Sequence, residues 1–456
     1  MIPFRYFILV LSTLTFGWLL SNPVSFNFAI VCDETENANG TRLINYDSAA
    51  LNSLFSIVAI GNLVGTFILP FIEKVVSFKT SVIIYLVISG IATALCPILL
   101  HYGYWPVLLL RFIQGIGWSM CLPGTGSISF AWAPNDESGI FASVLTYSGQ
   151  IGPMITMYLS GELCYKGFGT ESIFYSHAIL TAIFTILFIF IYKDNPEESP
   201  FVSQNEVKII QDDKEITKDH KIEPVPYFKV LTHPILTIGN LAYFVFFWTM
   251  HLWLQYAAIY MHNVLKFDVS TTGILTSAPY LVSLVVKFVV AYISDKGTFW
   301  PQKKRLQILQ AFTQFPCGIA FIVLGVFTAV WPTLDVICYT LQIIGSASMG
   351  ATFFKACQLI SRQHFHFVMS IASVSSSVAL LVLPVIVNWL MPNFEVSGWR
   401  IVFLVIGSFT VGINALFIAF LDISPAPWTM HDHPEESMKQ VQIYPAKDKV
   451  ITSNEI

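Results

Sequence analysis

The chain has 456 residues, of which 55% are hydrophobic and only 11% are charged, whereas a soluble globular protein carries about 25% charged residues. A chain this apolar cannot cover its own surface in water, so lipid must be the solvent for much of it. The net charge of −4 argues against a nucleic-acid partner. The seven cysteines are scattered without a CxxC pair, a pattern that signals neither a zinc site nor a disulfide framework.

Apolar segments long enough to cross a bilayer recur along the whole chain. A membrane-spanning helix needs about 20 mostly apolar residues, and twelve segments qualify. The first follows Arg5 and is too long for a signal-peptide core, so we expect it to be retained as a helix. The ninth and tenth are separated by only three residues, 331–333. The twelve predicted segments are Tyr6–Val31, Ala50–Ile72, Thr80–Leu100, Trp105–Phe130, Ser138–Ser160, Ile173–Tyr192, Ile235–Tyr260, Gly273–Ile293, Ile308–Val330, Leu334–Gln358, Phe367–Leu390 and Ile401–Leu421.

The longest polar stretch between segments separates them into six and six, which predicts an all-α integral membrane protein of two six-helix bundles. The second and eighth segments end in acid–base pairs, Glu73-Lys74 and Asp295-Lys296, at equivalent positions of the two halves. Parallel repeats of six helices are typical of transporters whose two halves rock against each other. The predicted divisions are residues 1–192 and 234–423 for the two bundles, 193–233 for a cytoplasmic linker and 424–456 for a polar cytoplasmic tail.

The distribution of Lys and Arg predicts the orientation. With the N-terminus in the cytoplasm, 17 of the 24 basic residues fall inside, 4 outside and 3 within the membrane. Twelve segments then return the C-terminus to the cytoplasm. The sequon at Asn39 falls in the first outer loop, on the side where glycosylation occurs. Cys32 and Cys164 both lie near the outer surface in this arrangement, so a disulfide between them is an open alternative to two free thiols.

Many modest motifs occur in the order found in one transporter family. They begin with Arg111-Phe112-Ile113-Gln114-Gly115 and Pro123, followed by Trp132-Ala133-Pro134 and Glu137. The chain resembles the anion:cation symporter family, which includes sialin, the sodium/phosphate-type organic anion transporters and the vesicular glutamate transporters. The further matching positions, in register, are Ser160-Gly161, Phe174-Tyr175, Asp194, Pro196, Pro200-Phe201-Val202-Ser203, Glu206, Tyr260, Val264-Leu265, Phe267-Asp268, Gly273, Pro279-Tyr280, Asp295, Trp399, Val402-Phe403 and Pro427-Trp428.

The resemblance implies the major facilitator fold and transport of an anion, but the chain departs from the family at its membrane charges. The first-helix arginine of the family falls on Pro23, and the second-helix histidine falls on Phe55. The fourth-helix acid falls on Trp118, and the arginine expected early in the seventh helix falls near Phe246. Among the membrane charges of the family only Arg111 is retained, which makes this a divergent member and weakens the inference of an acidic substrate and of proton coupling.

Three basic residues lie within the apolar segments, where an ionisable group costs roughly 2.5–3.5 kcal/mol on insertion scales and usually faces a cavity. Arg111 could bind a carboxylate or phosphate through two parallel hydrogen bonds. Alternatively, it could be a structural arginine that donates hydrogen bonds to backbone carbonyls. Lys287 lies eight residues before Asp295, so it is either an anion-attracting charge or a lysine that reaches for the surface. Lys355 has the same two alternatives.

Polar residues in other segments complete the predicted substrate site. His251 near the middle of the seventh segment is a candidate proton relay or a hydrogen-bonded interior histidine. Asn22, Ser25 and Asn27 surround Pro23 and are candidates to line a cavity, with helix packing as the alternative. Gln114, one turn after Arg111, belongs to the same candidate set.

The acid–base pairs at the ends of the second and eighth segments are the predicted gate. Asp295 is assigned to the gate of the second half, and Glu73 with Lys74 to that of the first. No acidic residue stands out at mid-membrane in the sequence, which leaves His251 as the candidate proton carrier. We therefore expect a facilitated or potential-driven carrier, with H⁺ or Na⁺ as the candidate coupling ion.

The function predicted is secondary active or facilitative transport of a small organic or inorganic anion, with alternating access of the two halves around a central cavity. The alternative is a transporter-like receptor or scaffold that moves no solute. An enzyme is not expected, since no nucleophile, metal cluster or glycine-rich phosphate loop accompanies the helices. No cofactor and no nucleic-acid partner are expected. The expected protein is a monomer in the plasma membrane or in a vesicular or lysosomal membrane.

Overall fold

The computed structural model describes residues 3–36, 42–134, 137–211, 226–296, 300–346, 349–391 and 394–429. Within them the regular structure is helical. Ten helices are long and apolar enough to cross a membrane. The two remaining predicted segments, the fifth and the tenth, are also helical but are each divided into shorter pieces. The prediction of an all-helical membrane fold is confirmed.

The first half contains six of the spans, which begin and end within a few residues of the predicted segments except at the end of the first and fifth. Asp47 and Ser77 cap α2 and α3, since each accepts a hydrogen bond from a backbone N–H of the first helical turn. The observed helices are α1 Phe4–Glu36, α2 Ser48–Ile72, α3 Phe78–Leu100, α4 Tyr104–Trp132, α5 as Ser138–Leu145 and Ser148–Tyr165, and α6 Thr170–Ile191.

The second half contains the other six spans. The predicted separation of the ninth and tenth segments is confirmed, because α9 ends at Phe327 and α10 begins at Pro332, where proline suits the first helical position. The observed helices are α7 Pro234–Ile259, α8 Val269–Lys296, α9 Gln302–Phe327, α10 as Pro332–Ser346 and Lys355–Ser361, α11 Phe365–Leu390 and α12 Val396–Phe420.

Between the halves lie short surface helices, Pro196–Glu198, Gln204–Gln211 and Tyr227–Leu231. We call the face that carries these helices the linker face. The opposite face carries a disulfide between Cys32 and Cys164, with Cα atoms 5.7 Å apart, and we call it the disulfide face. The bond that the sequence left open is therefore present. The residue limits of the two bundles and of the linker stay a prediction.

Several spans are irregular at a defined point. The two pieces of α5 meet at Thr146 and Tyr147, where the backbone bonds tighten to residues three apart, as in Tyr147 N to Val144 O at 2.9 Å. Among the described residues of the second half, two turns are π-helical, Tyr260–Val264 after α7 and Gly350–Phe354 within α10. Such π turns are rare and are frequent at functional sites, so these spans are candidates to carry function.

The two halves pack together mainly through α1 with α7, α2 with α11, and α5 with α8. A close approach occurs at the disulfide face, between Gly161 of α5 and Gly273 of α8. A Cβ built on Gly161 would lie 2.9 Å from the Cα of Gly273, a distance that side chains do not tolerate. Glycine at both positions therefore permits the backbones to touch, as small residues do in other membrane helix pairs.

On the linker face of the first half, a cluster of charged residues around Arg5 links the start of α1 to Glu137 and Glu206. The guanidinium of Arg5 donates to both carboxylate oxygens of Glu137, each at 3.0 Å. The carboxylate of Glu206, on the surface helix Gln204–Gln211, accepts the backbone N–H groups of Phe4 and Arg5. These bonds place anionic groups on the free N–H groups at the start of α1, and they anchor the first part of the linker to the first bundle.

Candidate functional site

Lys287 lies where the two halves meet. It projects from α8 towards the irregular point of α5, nine residues before the end of α8 on the linker face. Its Nζ donates to Thr146 Oγ1 at 2.9 Å and to Gln150 Oε1 at 3.3 Å, and it lies 4.7 Å from the ring centre of Tyr147. These partners are neutral, and the side chain is half-buried. The predicted role of Lys287 in attracting an anion stays a prediction.

His251 lies in the same interface, on α7. Its ring stacks on Phe247, with centroids 5.4 Å apart, and meets the ring of Trp118 edge-on at 5.8 Å. Nε2 is 3.5 Å from Ser376 Oγ, while Nδ1 is buried and makes no hydrogen bond within the described part of the chain. The side chain of the neighbouring Met250 faces Gly149 of α5, where a Cβ built on the glycine would lie 3.8 Å from Met250 Cε, beside the partners of Lys287. Aromatic and neutral groups thus surround this part of the interface.

Arg111 is enclosed within the first half and is only 2% exposed. Its Nη1 donates to the carbonyl of Pro23 at 2.6 Å and to Gln114 Oε1 at 2.9 Å, and Nε donates to the carbonyl of Leu54 at 3.3 Å. The guanidinium also lies 4.7 Å from the ring centre of Phe26. This arrangement corresponds to the structural alternative for Arg111. Its binding of substrate stays a prediction.

The polar residues around Pro23 have separate partners. Asn22 donates to Ser89 Oγ and accepts from Thr181 Oγ1, each at 3.0 Å, so it links three helices of the first half. Ser25 Oγ donates to the carbonyl of Asn22. Gln114 donates to Thr93 Oγ1 at 2.9 Å. These three candidates are fully buried within one half, where their partners serve helix packing in this conformation.

Asn27 instead reaches across the interface, near the disulfide face, where its Nδ2 donates to the carbonyl of Leu254 at 3.0 Å. A residue that the sequence did not single out, Asn52, accepts from the hydroxyl of Tyr256 at 2.5 Å and donates to Asn388 Oδ1 at 3.4 Å. We call these contacts, together with Gly161 and Gly273, the disulfide-face gate. Apart from the small glycines, the gate consists of neutral polar groups that join α1 and α2 to α7 and α11.

Only some residues of the predicted cytoplasmic gate lie in the described part of the chain. Glu73 and Lys74 follow α2 and are exposed, and the ammonium of Lys74 lies 5.5 Å from the ring centre of Phe71. Lys355 opens the second piece of α10 and is half-buried. The side chain of Asp295 and the sequon residue Asn39 lie outside the described residues. Their roles stay predictions.

A buried carboxyl group that the sequence reading passed over lies in the second half. Asp335 of α10 is 0% exposed, near the disulfide face. Its Oδ2 accepts from the hydroxyl of Tyr260 at 2.8 Å and from the N–H of Ala329 at 2.9 Å. In the described part of the chain no group of three or more His, Cys, Asp or Glu could hold a metal ion.

Two six-helix halves that touch through neutral contacts, with an ammonium group between them, define the class of helical membrane transporters that work by alternating access. Residues 6–365 match the family model described as Major Facilitator Superfamily. The chain belongs to that superfamily. The fold agrees: a bacterial homologue of the human lysosomal transporter Spinster superimposes with a TM-score of 0.68 at 14% identity, covering 94% of this chain and 100% of that one.

Curated relatives confirm the resemblance to the anion:cation symporters. Human sialin is 24% identical over 349 residues, which cover 76% of this chain and 70% of sialin. A Drosophila melanogaster protein, provisionally named an inorganic phosphate cotransporter, is 25% identical over 366 residues. That match covers 77% of this chain but 66% of the relative, so the chain spans just under two thirds of the relative's length.

Proposed function

We propose that the chain is a secondary active or facilitative transporter of a small organic or inorganic anion, which crosses the membrane as the two halves alternate between facing one side and the other. The observation that carries this proposal is the position of Lys287. It is a cation between the halves that is held by neutral groups, and it can therefore exchange them for an anion.

The neutral partners of Lys287 matter for this chemistry. An anion adds Coulombic attraction to the ammonium that a neutral hydroxyl or amide oxygen cannot supply, and a carboxylate of the protein beside Lys287 would compete with any anionic substrate. Thr146 and Gln150 offer only a hydroxyl and an amide oxygen. An arriving carboxylate or phosphate gives the ammonium a stronger partner, and the ring of Tyr147 beside it retains its attraction for the cation.

Two independent features support an orientation with the linker face in the cytoplasm. Basic residues are concentrated on that side, with 17 of 24 inside and 4 outside. The disulfide between Cys32 and Cys164 lies on the other face, and disulfides persist in oxidising compartments such as the cell exterior and the secretory lumen. We propose cytoplasmic termini, and a plasma, vesicular or lysosomal membrane as the location.

Uptake of radiolabelled anions into proteoliposomes tests the proposal, with inorganic phosphate and a set of organic carboxylates as probes and with pH, sodium and voltage varied independently. Lys287→Ala removes the ammonium, whereas Lys287→Arg retains the charge. Hydrogen bonds to charged groups contribute about 1.5–3 kcal/mol. Uptake by Lys287→Ala at low substrate concentration should therefore fall by roughly 10- to 150-fold, and the arginine variant should retain more activity.

The matched control is Lys166→Ala, which removes an exposed lysine that pairs with Glu162 at 3.4 Å on the disulfide face. Its uptake should equal that of the wild type. Uptake that Lys287→Ala leaves unchanged would refute the role of Lys287. Binding of an anion without any uptake, under every imposed gradient, would instead support the alternative of a receptor that moves no solute.

A further inference from the structure

Asp335 combines burial with an unused hydrogen-bonding atom. The side chain is 0% exposed, and its Oδ1 makes no hydrogen bond within the described part of the chain. Oδ2 is fully used by Tyr260 and Ala329. An ionised carboxylate removed from water needs a cation or several donors to offset its lost hydration, and a protonated one does not.

The groups that face Asp335 include no cation in the described residues. The phenol of Tyr260 approaches from the end of α7, the backbone N–H of Ala329 from the turn after α9, and the thiol of Cys338 lies one turn along α10. The nearby His262 is bonded elsewhere, with Nδ1 2.8 Å from the carbonyl of Phe267 and Nε2 3.3 Å from Thr35 Oγ1.

The partner of Asp335 is connected to the disulfide-face gate. Tyr260 begins the π turn that follows α7, and Tyr256, one turn earlier, donates to Asn52 across the interface. Both tyrosine rings pack on Trp399, with centroids 4.9 Å and 6.3 Å away. A movement of the end of α7 that breaks the gate must therefore also change the surroundings of Tyr260 and Asp335.

We propose that Asp335 is a proton-binding site whose occupancy controls the disulfide-face gate. In the closed gate the sealed carboxyl is protonated, because burial away from water disfavours the ionised form and no cation offsets that cost among the described residues. Opening of the gate admits water to Asp335, the proton leaves to the compartment on that face, and Tyr260 continues to donate to the ionised group. Acid on that face therefore favours the closed gate. This site revises the sequence-based expectation that His251 is the one candidate for a proton.

The experiment measures gate opening directly, without a substrate. Spin labels are attached at Ala49→Cys on α2 and Ser397→Cys on α12, two exposed positions on the disulfide face of opposite halves. The five free cysteines are buried, so they do not compete for the label. Distances between the labels are recorded from about pH 5 to pH 8 in lipid nanodiscs. A single linked proton predicts that the ratio of open to closed molecules rises by up to about tenfold per pH unit.

Three variants separate the sources of any pH dependence. Asp335→Asn mimics the protonated carboxyl and can still accept from Tyr260 and Ala329. The distance between the two spin labels should therefore stay short, as in the closed gate, at every pH. Tyr260→Phe removes a hydrogen-bond donor that favours the ionised form of Asp335. The midpoint of the pH-dependent gate opening should therefore move to higher pH. His262→Gln removes the histidine that contacts Thr35 of α1 across the interface. It can change the proportion of open molecules, but the dependence of that proportion on pH should persist.

The assignment of Asp335 as the proton site is overturned if the ratio of open to closed molecules still depends on pH in Asp335→Asn. It is also overturned if that dependence disappears in His262→Gln. If Asp335→Asn does not fold, an unchanged midpoint in Tyr260→Phe overturns it as well. The inference rests on the proposed alternation of the two halves, and the outcomes keep the two apart. A gate that never opens refutes both, whereas a gate that opens independently of pH refutes the proton site alone.

Discussion

Replacement of Gly161 by alanine should hold the disulfide-face gate open. In the closed gate the new Cβ would lie 2.9 Å from the Cα of Gly273 and 3.3 Å from Cζ of Phe28, with the carbonyl of Val269 at 3.4 Å. The first neighbour is backbone, so it cannot rotate away. Helices α5 and α8 would have to separate by roughly 0.5–1 Å to restore ordinary contact distances of about 3.4–4 Å.

The penalty applies to one conformation only. Overpacking costs about 1–3 kcal/mol, and it arises only where α5 and α8 touch. The open conformation, in which these helix ends separate, does not carry that cost. The ratio of open to closed molecules should therefore rise by roughly 5- to 150-fold, while the helices themselves are stabilised slightly because alanine is a better helix former than glycine.

The labels at Ala49→Cys and Ser397→Cys report this ratio. Gly161→Ala should populate a longer distance than the wild type at the same pH. Gly412→Ala is the matched control, because it makes the same substitution within α12 at a position with no atom within 4 Å of the added Cβ. A distance distribution in Gly161→Ala equal to that of the control would refute the argument that this contact closes the gate.

Three further predictions concern other contacts of the structure. Asn52→Ala removes the partner of Tyr256 and should favour the open gate about 5-fold, since a neutral hydrogen bond contributes about 1 kcal/mol; the same labels measure it, and an unchanged distance would exclude this contact from the gate. Cys164→Ser removes the disulfide and should lower stability by about 2–4 kcal/mol, visible as a lower midpoint of thermal unfolding in detergent; equal midpoints would argue that the bond is absent in the protein. The hydrogen bonds from Arg5 hold the pKa of Glu137 below its usual range, so their stabilisation is present at neutral pH and is lost as the pH falls through the lowered pKa of Glu137. Arg5→Ala should therefore destabilise the protein by about 1.5 kcal/mol at pH 7 and by less at pH 4, and a loss that is the same at both pH values would contradict this.

The spans were predictable because each needs a long apolar run that the bilayer makes unmistakable. The ends were less accurate where tertiary bonds extend a helix into polar sequence. Helix α1 continues to Glu36, five residues past the predicted end, and Glu36 accepts from the backbone and hydroxyl of Thr170. The interruption of α10 was not predicted, since the apolar run from Leu334 to Gln358 carries no sequence signal for a π turn.

Charges in the membrane were predictable, whereas their partners were not. Lys287 and Arg111 stand out in apolar segments, but only the fold shows that one reaches between the halves and the other is enclosed within one. Thr146 and Asn52 passed unnoticed because small polar residues are common in membrane helices. Asp335 had a usable signal, because an ionisable residue lay inside the predicted tenth segment.

The placement of the buried charges gives the two halves different tasks. The second half supplies Lys287 and also Asp335, whose partner Tyr260 lies in the same half. The first half supplies neutral groups at the interface, Thr146 beside Lys287 and Asn52 at the gate. A neutral partner can release a charged or polar group when the halves separate, because water or a substrate replaces the lost bond at little cost. A carboxylate in place of Thr146 would instead hold α5 to α8 through an ion pair, in which two opposite charges attract each other more strongly than an ammonium and a hydroxyl do. In the described part of the chain no carboxylate contacts Lys287, and this is what allows an incoming anion to compete for its ammonium.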